Sequence, residues 1–210
     1  MLFAACVAAP ASERSAPKLP LRLEGLSEDD AREAREVYRV TRERFTEITG
    51  RPVGALKIRV QLVERAMGGE ASRTLTQVMG VTRQSREECR ISINPLRRGS
   101  FGRVLAHELT HAFLHEAYGR TTNRALNEGL AEYLASLSYS AEVNRDQRAA
   151  AANYASAQKL QPYVAGYNFC LHYARDPDFI AFFDRRIYMP DFGFDDLMTA
   201  WRREKLAAKK

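Results

Sequence analysis

His107-Glu108-Leu109-Thr110-His111 is the stretch on which the reading of this chain turns. On a helix, residues four apart lie one above the other, so both imidazoles reach a single metal ion. Glu108, beside the first histidine, is then placed to take a proton from a metal-activated water. The chain has 4 histidines, and His107, His111 and His115 crowd into nine consecutive positions. The competing reading is an amphipathic helix with two incidental histidines, and the flanking sequence decides between the two.

A catalytic zinc site commonly takes three protein ligands and keeps its fourth position for water. The third partner must come from elsewhere in the chain. Sixteen residues after His111 begins Asn127-Glu128-Gly129-Leu130-Ala131-Glu132-Tyr133. On a helix, Glu128 and Glu132 are one turn apart and opposite a stripe of Leu126, Leu130, Leu134 and Leu137. Two carboxylates on one face suit a site of two histidines and one glutamate. One carboxylate binds the metal, and the other accepts the free N–H of a ligating histidine and fixes its tautomer. Without a metal they are two ordinary surface acids.

Together, HELTH and NEGLAEY resemble the gluzincin metallopeptidases, in particular the small peptidase MA-like members, over roughly residues 88–135. The resemblance implies a zincin-like fold, one zinc ion per chain and hydrolysis of peptide bonds. Carried over by motif, His107, His111 and Glu128 are the ligands and Glu108 is the general base. Glu132 orients a ligating histidine, with Asn127 also behind the ligands. The family tends to carry a Tyr-x-x-Ser/Gly segment opening a later helix, and Tyr163-Val164-Ala165-Gly166-Tyr167 looks like it. Either Tyr163 or Tyr167 then offers a hydroxyl to the oxyanion; equally, both are tyrosines at the edge of the core. Gly166 reads as a site of close packing against the zinc helix. Peptidases of this type hold extended peptide along an edge strand, here residues 73–82 or 88–93. The metzincin pattern is excluded, because Leu114 stands where it requires glycine. His115 and His172 belong to no motif and read as structural. A catalytically silent relative serving as a binding protein at the cell envelope is the alternative, which retention of Glu108 argues against.

Around this centre the patterning predicts an α+β fold. Ser27 caps a helix whose apolar positions run from Ala34 to Ile48 and stop at Gly50-Arg51-Pro52. Alternation marks strands at 56–63 and 89–93, with another at 74–82 broken or bulged near Gly80. Gly68-Gly69 marks a turn. Helices follow near 100–118, 123–140, 143–160, 163–175, 178–186 and 193–207. The expectation is a small mixed sheet with a preceding helix, then the HExxH helix, then a mainly helical C-terminal half. Residues 26–210 form a single domain, and residues 1–25 form a signal-like segment and linker.

The composition fits a folded domain: 45% of the 210 residues are hydrophobic and 28% are charged. The net charge of +6 comes from 32 basic residues interspersed with 26 acidic ones. That mixture makes solvated helix faces rather than a nucleic-acid stripe, so no nucleic-acid partner is expected. Leu2 to Ala9 is a short apolar run before Pro/Ala/Ser-rich sequence, like the core of a truncated export signal. Export places the protein in the periplasm, the cell envelope or the medium, acting on peptides or proteins. Cys6 loosely resembles a lipoprotein cysteine, which would anchor the chain to a membrane. Cys89 and Cys170 then remain, as a disulfide or as two core thiols.

Overall fold

The structure is a computed structural model that describes residues 20–63, 80–85, 87–94, 101–138, 161–190 and 194–207. The chain opens with strand β1 (Leu21–Glu24) and helix α1 (Glu28–Thr49). Three strands follow: β2 (Lys57–Leu62), β3 (Gly80–Gln84) and β4 (Glu88–Ile93). The described remainder is helical: α2 (Phe101–Tyr118), α3 (Arg124–Ser138), α4 (Gln161–Tyr173), α5 (Phe179–Arg186) and α6 (Phe194–Ala207). This is the expected α+β arrangement, with a small mixed sheet and a mostly helical chain.

Helix α1 forms for the reasons its sequence gives. The Ser27 hydroxyl accepts the Asp30 backbone N–H at 3.2 Å, and three acids occupy the first turn, where the helix dipole favours them. Gly50 ends the helix in the left-handed conformation, φ 66°. The buried side of α1 presents Tyr38 and Phe45 to Phe113 of α2, with ring centroids 5.6 and 5.7 Å apart. Side chains of this kind stabilise by about 1.5–3 kcal/mol each when fully buried.

The four strands lie in the order β1-β2-β4-β3. β1 and β4 both run parallel to β2, and β3 pairs antiparallel to β4. Ile58, Val60, Cys89, Ile91 and Ile93 form the buried face of β2 and β4. α2 is buried along most of its length, including Leu105, Leu109, Phe113 and Leu114, so the fold is built round it. α4 packs on α6 through Phe169 and Tyr173, whose rings lie 5.8 and 5.0 Å from that of Trp201.

Several sequence expectations change here. β1 falls within the stretch read as signal and linker, yet it is a strand of the sheet and precedes α1. Leu21-Arg22-Leu23-Glu24 alternates apolar and polar residues, but over only four positions. Residues 88–93 are interior, paired on both sides, so they cannot serve as a docking edge; among the described residues β3 is the edge strand on that side. Gly80 is the first described residue of β3. Gly166 packs against α3, not the HExxH helix. Cys89 and Cys170 are both buried free thiols, not a disulfide. The turn at Gly68-Gly69, residues 74–79 of the third strand, the 143–160 helix, Cys6 and the signal-like run lie outside the described residues. Among the described residues no helix is long and apolar enough to cross a membrane.

Candidate metal centre

His107 and His111 sit one turn apart on α2, and α3 brings Glu128 to meet them. The loop between the helices is short because Gly119 closes α2, with φ 69° and its N–H on the His115 carbonyl at 2.8 Å. Asn123 starts α3 by accepting the Leu126 N–H on its side-chain oxygen at 3.0 Å. The leucine stripe faces inward as expected: Leu126, Leu130 and Leu134 are buried, with Leu137 partly so. That orientation turns Glu128 and Glu132 toward α2.

Three donor atoms converge. The Nε2 atoms of His107 and His111 are 3.0 Å apart, and Glu128 Oε2 lies 3.4 and 3.3 Å from them. These residues form a group of the geometry that could hold a metal ion. Ligands about 2.0–2.1 Å from a tetrahedral zinc stand about 3.3 Å from one another. The triangle therefore has the right size for three corners of such a tetrahedron.

The surrounding hydrogen bonds fix which nitrogens face inward. Asn127 donates its Nδ2 to Thr121 Oγ1 at 2.7 Å. Its Oδ1 is thus left to accept from His111 Nδ1, 2.6 Å away. With the proton on Nδ1, the neutral His111 ring turns a lone pair inward from Nε2. On the other side, His107 Nδ1 lies 3.2 Å from Glu132 Oε1, and Arg103 Nη2 donates to Glu132 Oε2 at 2.7 Å. Glu128 Oε2 is buried without a hydrogen-bond donor. Two lone pairs and an anionic oxygen so arranged call for positive charge between them.

The titration behaviour of the side chains carries the same demand. Burial pulls the His107 ring down, but the Glu128 and Glu132 carboxylates outweigh it and lift its pKa to about 10. Burial pushes both carboxyls up, yet the imidazoles hold Glu128 far below the usual carboxylate range and Glu132 below it. A divalent cation would supply the charge that an extra proton on His107 otherwise provides, so the donor set fits zinc.

Glu108 reaches β3 and is only 7% exposed. The Thr82 hydroxyl donates to its Oε2 at 2.5 Å. Next along the strand, Gln84 Nε2 donates to the His111 carbonyl at 3.0 Å. Sequence reasoning missed Thr82, because nothing local announces which strand residue meets a distant helix. It also missed Arg103, which did carry a signal: it lies one turn before His107 on the same helix face.

Tyr167 is half-buried and packs against the hydrophobic core. Tyr163 is in α4, but its side chain lies outside the described residues. His115 is half-buried one turn beyond His111, and His172 is exposed beside Tyr173.

Comparison with sequence families matches residues 94–201, just over half the chain, to the BSP family, described as "Peptidase of plants and bacteria". The chain belongs to that family. The match includes α2 and α3 and so His107, Glu108, His111, Asn127, Glu128 and Glu132, whereas β3 precedes it. Comparisons with curated proteins and with solved structures gave no match.

Proposed function

We propose that this member of a peptidase family is a zinc-dependent metallopeptidase of the gluzincin type, with a zincin-like active site. The observation that carries the reading is the convergence of His107 Nε2, His111 Nε2 and Glu128 Oε2 within 3.4 Å of one another. Asn127 holds the outward-facing Nδ1 of His111, and Glu132 Oε1 lies 3.2 Å from that of His107. When bound, zinc would acidify a water molecule and polarise the scissile carbonyl.

The chain's own residues supply the rest. Glu108 accepts the proton of the attacking water as the new C–O bond forms. It then delivers that proton to the leaving nitrogen as the C–N bond breaks. Asn127 and Glu132 keep the imidazole protons on Nδ1, so the inward lone pairs stay available. Among the described residues β3 is an edge strand beside α2, and its outward N–H and C=O groups would offer an extended peptide a ladder to join. Such pairing reads the backbone more than the side chains, which suits a peptide substrate without a strict sequence. Tyr163 and Tyr167 remain the candidates for a donor to the oxyanion. Export to the cell envelope or medium belongs to the same reading.

The test combines metal analysis with hydrolysis of a mixed peptide library. About one zinc per chain, chelator-sensitive cleavage and an inactive, zinc-loaded Glu108→Gln variant are expected. Cleavage that survives Glu108→Gln sinks this mechanism, and a purified protein unable to bind zinc sinks the metal reading.

A further inference from the structure

We infer that β3 positions the Glu108 carboxylate for its task, with Thr82 holding Oε2 in place and Gly80, by carrying no side chain, letting the strand lie close beside Oε1 without turning the group. The inference rests on reading Glu108 as the general base, and it concerns residues that neither motif contains.

Strand alternation places positions 80 and 82 on one face of β3, here the face toward α2. The Thr82 hydroxyl lies 2.5 Å from Glu108 Oε2 and 3.2 Å from the Glu108 peptide oxygen. A hydroxyl has one proton to give, and a charged acceptor makes the stronger bond. The proton therefore goes to Oε2. A carboxylate this buried needs such a donor if it is to stay fixed in direction. Oε2 is then engaged, and Oε1 is the oxygen left for proton transfer.

Gly80 meets the other side of the same group. A Cβ there would lie 2.8 Å from Glu108 Oε1, 2.8 Å from Val104 Cγ1 and 2.9 Å from Glu108 Cγ. Gly80 is not among the residues with positive φ, so closeness, not backbone conformation, demands glycine. Any side chain would push against Oε1 or turn the carboxylate. A base displaced by even 1 Å loses much of its rate advantage, about 100-fold in unfavourable cases. Thr82 is thus a positioning residue, and Gly80 permits the close approach that brings its hydroxyl to Oε2.

The competing role for Thr82 is merely to clip β3 to α2, as Gln84 does through the His111 carbonyl, and the experiment separates the two roles. The full chain is prepared as wild type, Thr82→Val, Thr82→Ser, Gly80→Ala and Glu108→Gln. Zinc content, crystal structures and turnover of a quenched fluorescent peptide from the library are compared. Thr82→Val is expected to lower kcat about 10–100-fold, with KM within about twofold and zinc content unchanged. Thr82→Ser, which keeps the hydroxyl, should recover kcat to within about threefold. In the crystals the Glu108 carboxylate should leave its place in Thr82→Val and keep it in Thr82→Ser; Gly80→Ala should also displace it. An unmoved carboxylate in Thr82→Val overturns the inference, as does loss of zinc along with kcat or a Ser variant as slow as the Val variant. Activity persisting in Glu108→Gln instead refutes the base assignment, and the crystallographic comparison still decides whether Thr82 orients this group.

Discussion

Gly129 and Gly166 meet backbone to backbone where α3 crosses α4. A Cβ on Gly129 would lie 2.2 Å from the Gly166 carbonyl carbon, and one on Gly166 only 1.6 Å from the Ala125 carbonyl oxygen. The crossing adjoins Glu128, so it sets how far α3 stands from α4 and where its carboxylate falls. In a free helix, glycine to alanine is favourable by about 0.8–1 kcal/mol. Here both partners are main chain and cannot give way. Gly129→Ala and Gly166→Ala are therefore expected to destabilise by about 1–3 kcal/mol or more. Urea midpoints measure the sign directly, and a stabilised alanine variant contradicts the close crossing. Weaker zinc binding should accompany the loss, because Glu128 moves with α3.

Asn127 offers a test that leaves the ligands untouched. Its Oδ1 holds the His111 proton on Nδ1 at 2.6 Å, while Thr121 fixes which way the amide faces. Removing such a support typically weakens metal binding about 10–100-fold. Asn127→Ala should show that loss in competition with a chromophoric chelator, and Asn127→Asp, which keeps an acceptor, should lose less. Equal affinity in Asn127→Ala and wild type removes the orienting role.

These contacts divide into those the sequence could show and those it could not. His107, His111, Glu128 and Glu132 were legible because helical spacing alone sets which of them share a face. The buried positions of α1 were legible for the same reason, from Ala34 to Ile48. β1 was not, since a four-residue strand becomes recognisable only once β2 lies beside it. The interior position of β4 also escaped the sequence, because alternation reports one buried face and says nothing of neighbours. Thr82 and Gly80 owe their place at Glu108 to tertiary packing. Gly129 and Gly166 carried a faint signal, as glycines inside helical patterns, but not the identity of their partner.

Arg103 and Glu132 form a pair behind His107, with side chains 20% and 21% exposed. Removing the arginine leaves a mostly buried carboxylate with less compensation, while its partner His107 remains. Arg103→Met is expected to cost about 1–2 kcal/mol, less than the 3–5 kcal/mol of a fully buried pair. Glu132→Gln added to Arg103→Met should recover part of that loss, since no uncompensated charge remains. A double-mutant cycle on urea midpoints gives the coupling directly, and strictly additive losses mean the pair does not act together.

Glu204 anchors α6 to the end of α5 and carries a pH signature remote from the metal centre. It accepts from Arg185 Nε at 3.0 Å and from Arg186 Nη2 at 2.8 Å. Burial pushes its carboxyl up, but the two guanidinium groups outweigh this and hold it below the ordinary value. A depressed acid stabilises the fold above its unfolded pKa, about 4.3, and loses that contribution as the pH falls through the folded value. Arg185 is more than half exposed, so screening limits the effect to about 0.5–1 kcal/mol. Glu204→Gln should therefore be less stable than wild type at pH 7, with the gap closing toward pH 3 as Glu204 protonates. Urea midpoints at both pH values decide it, since a gap of constant size would mean that the glutamine alters packing rather than removing the ion pair.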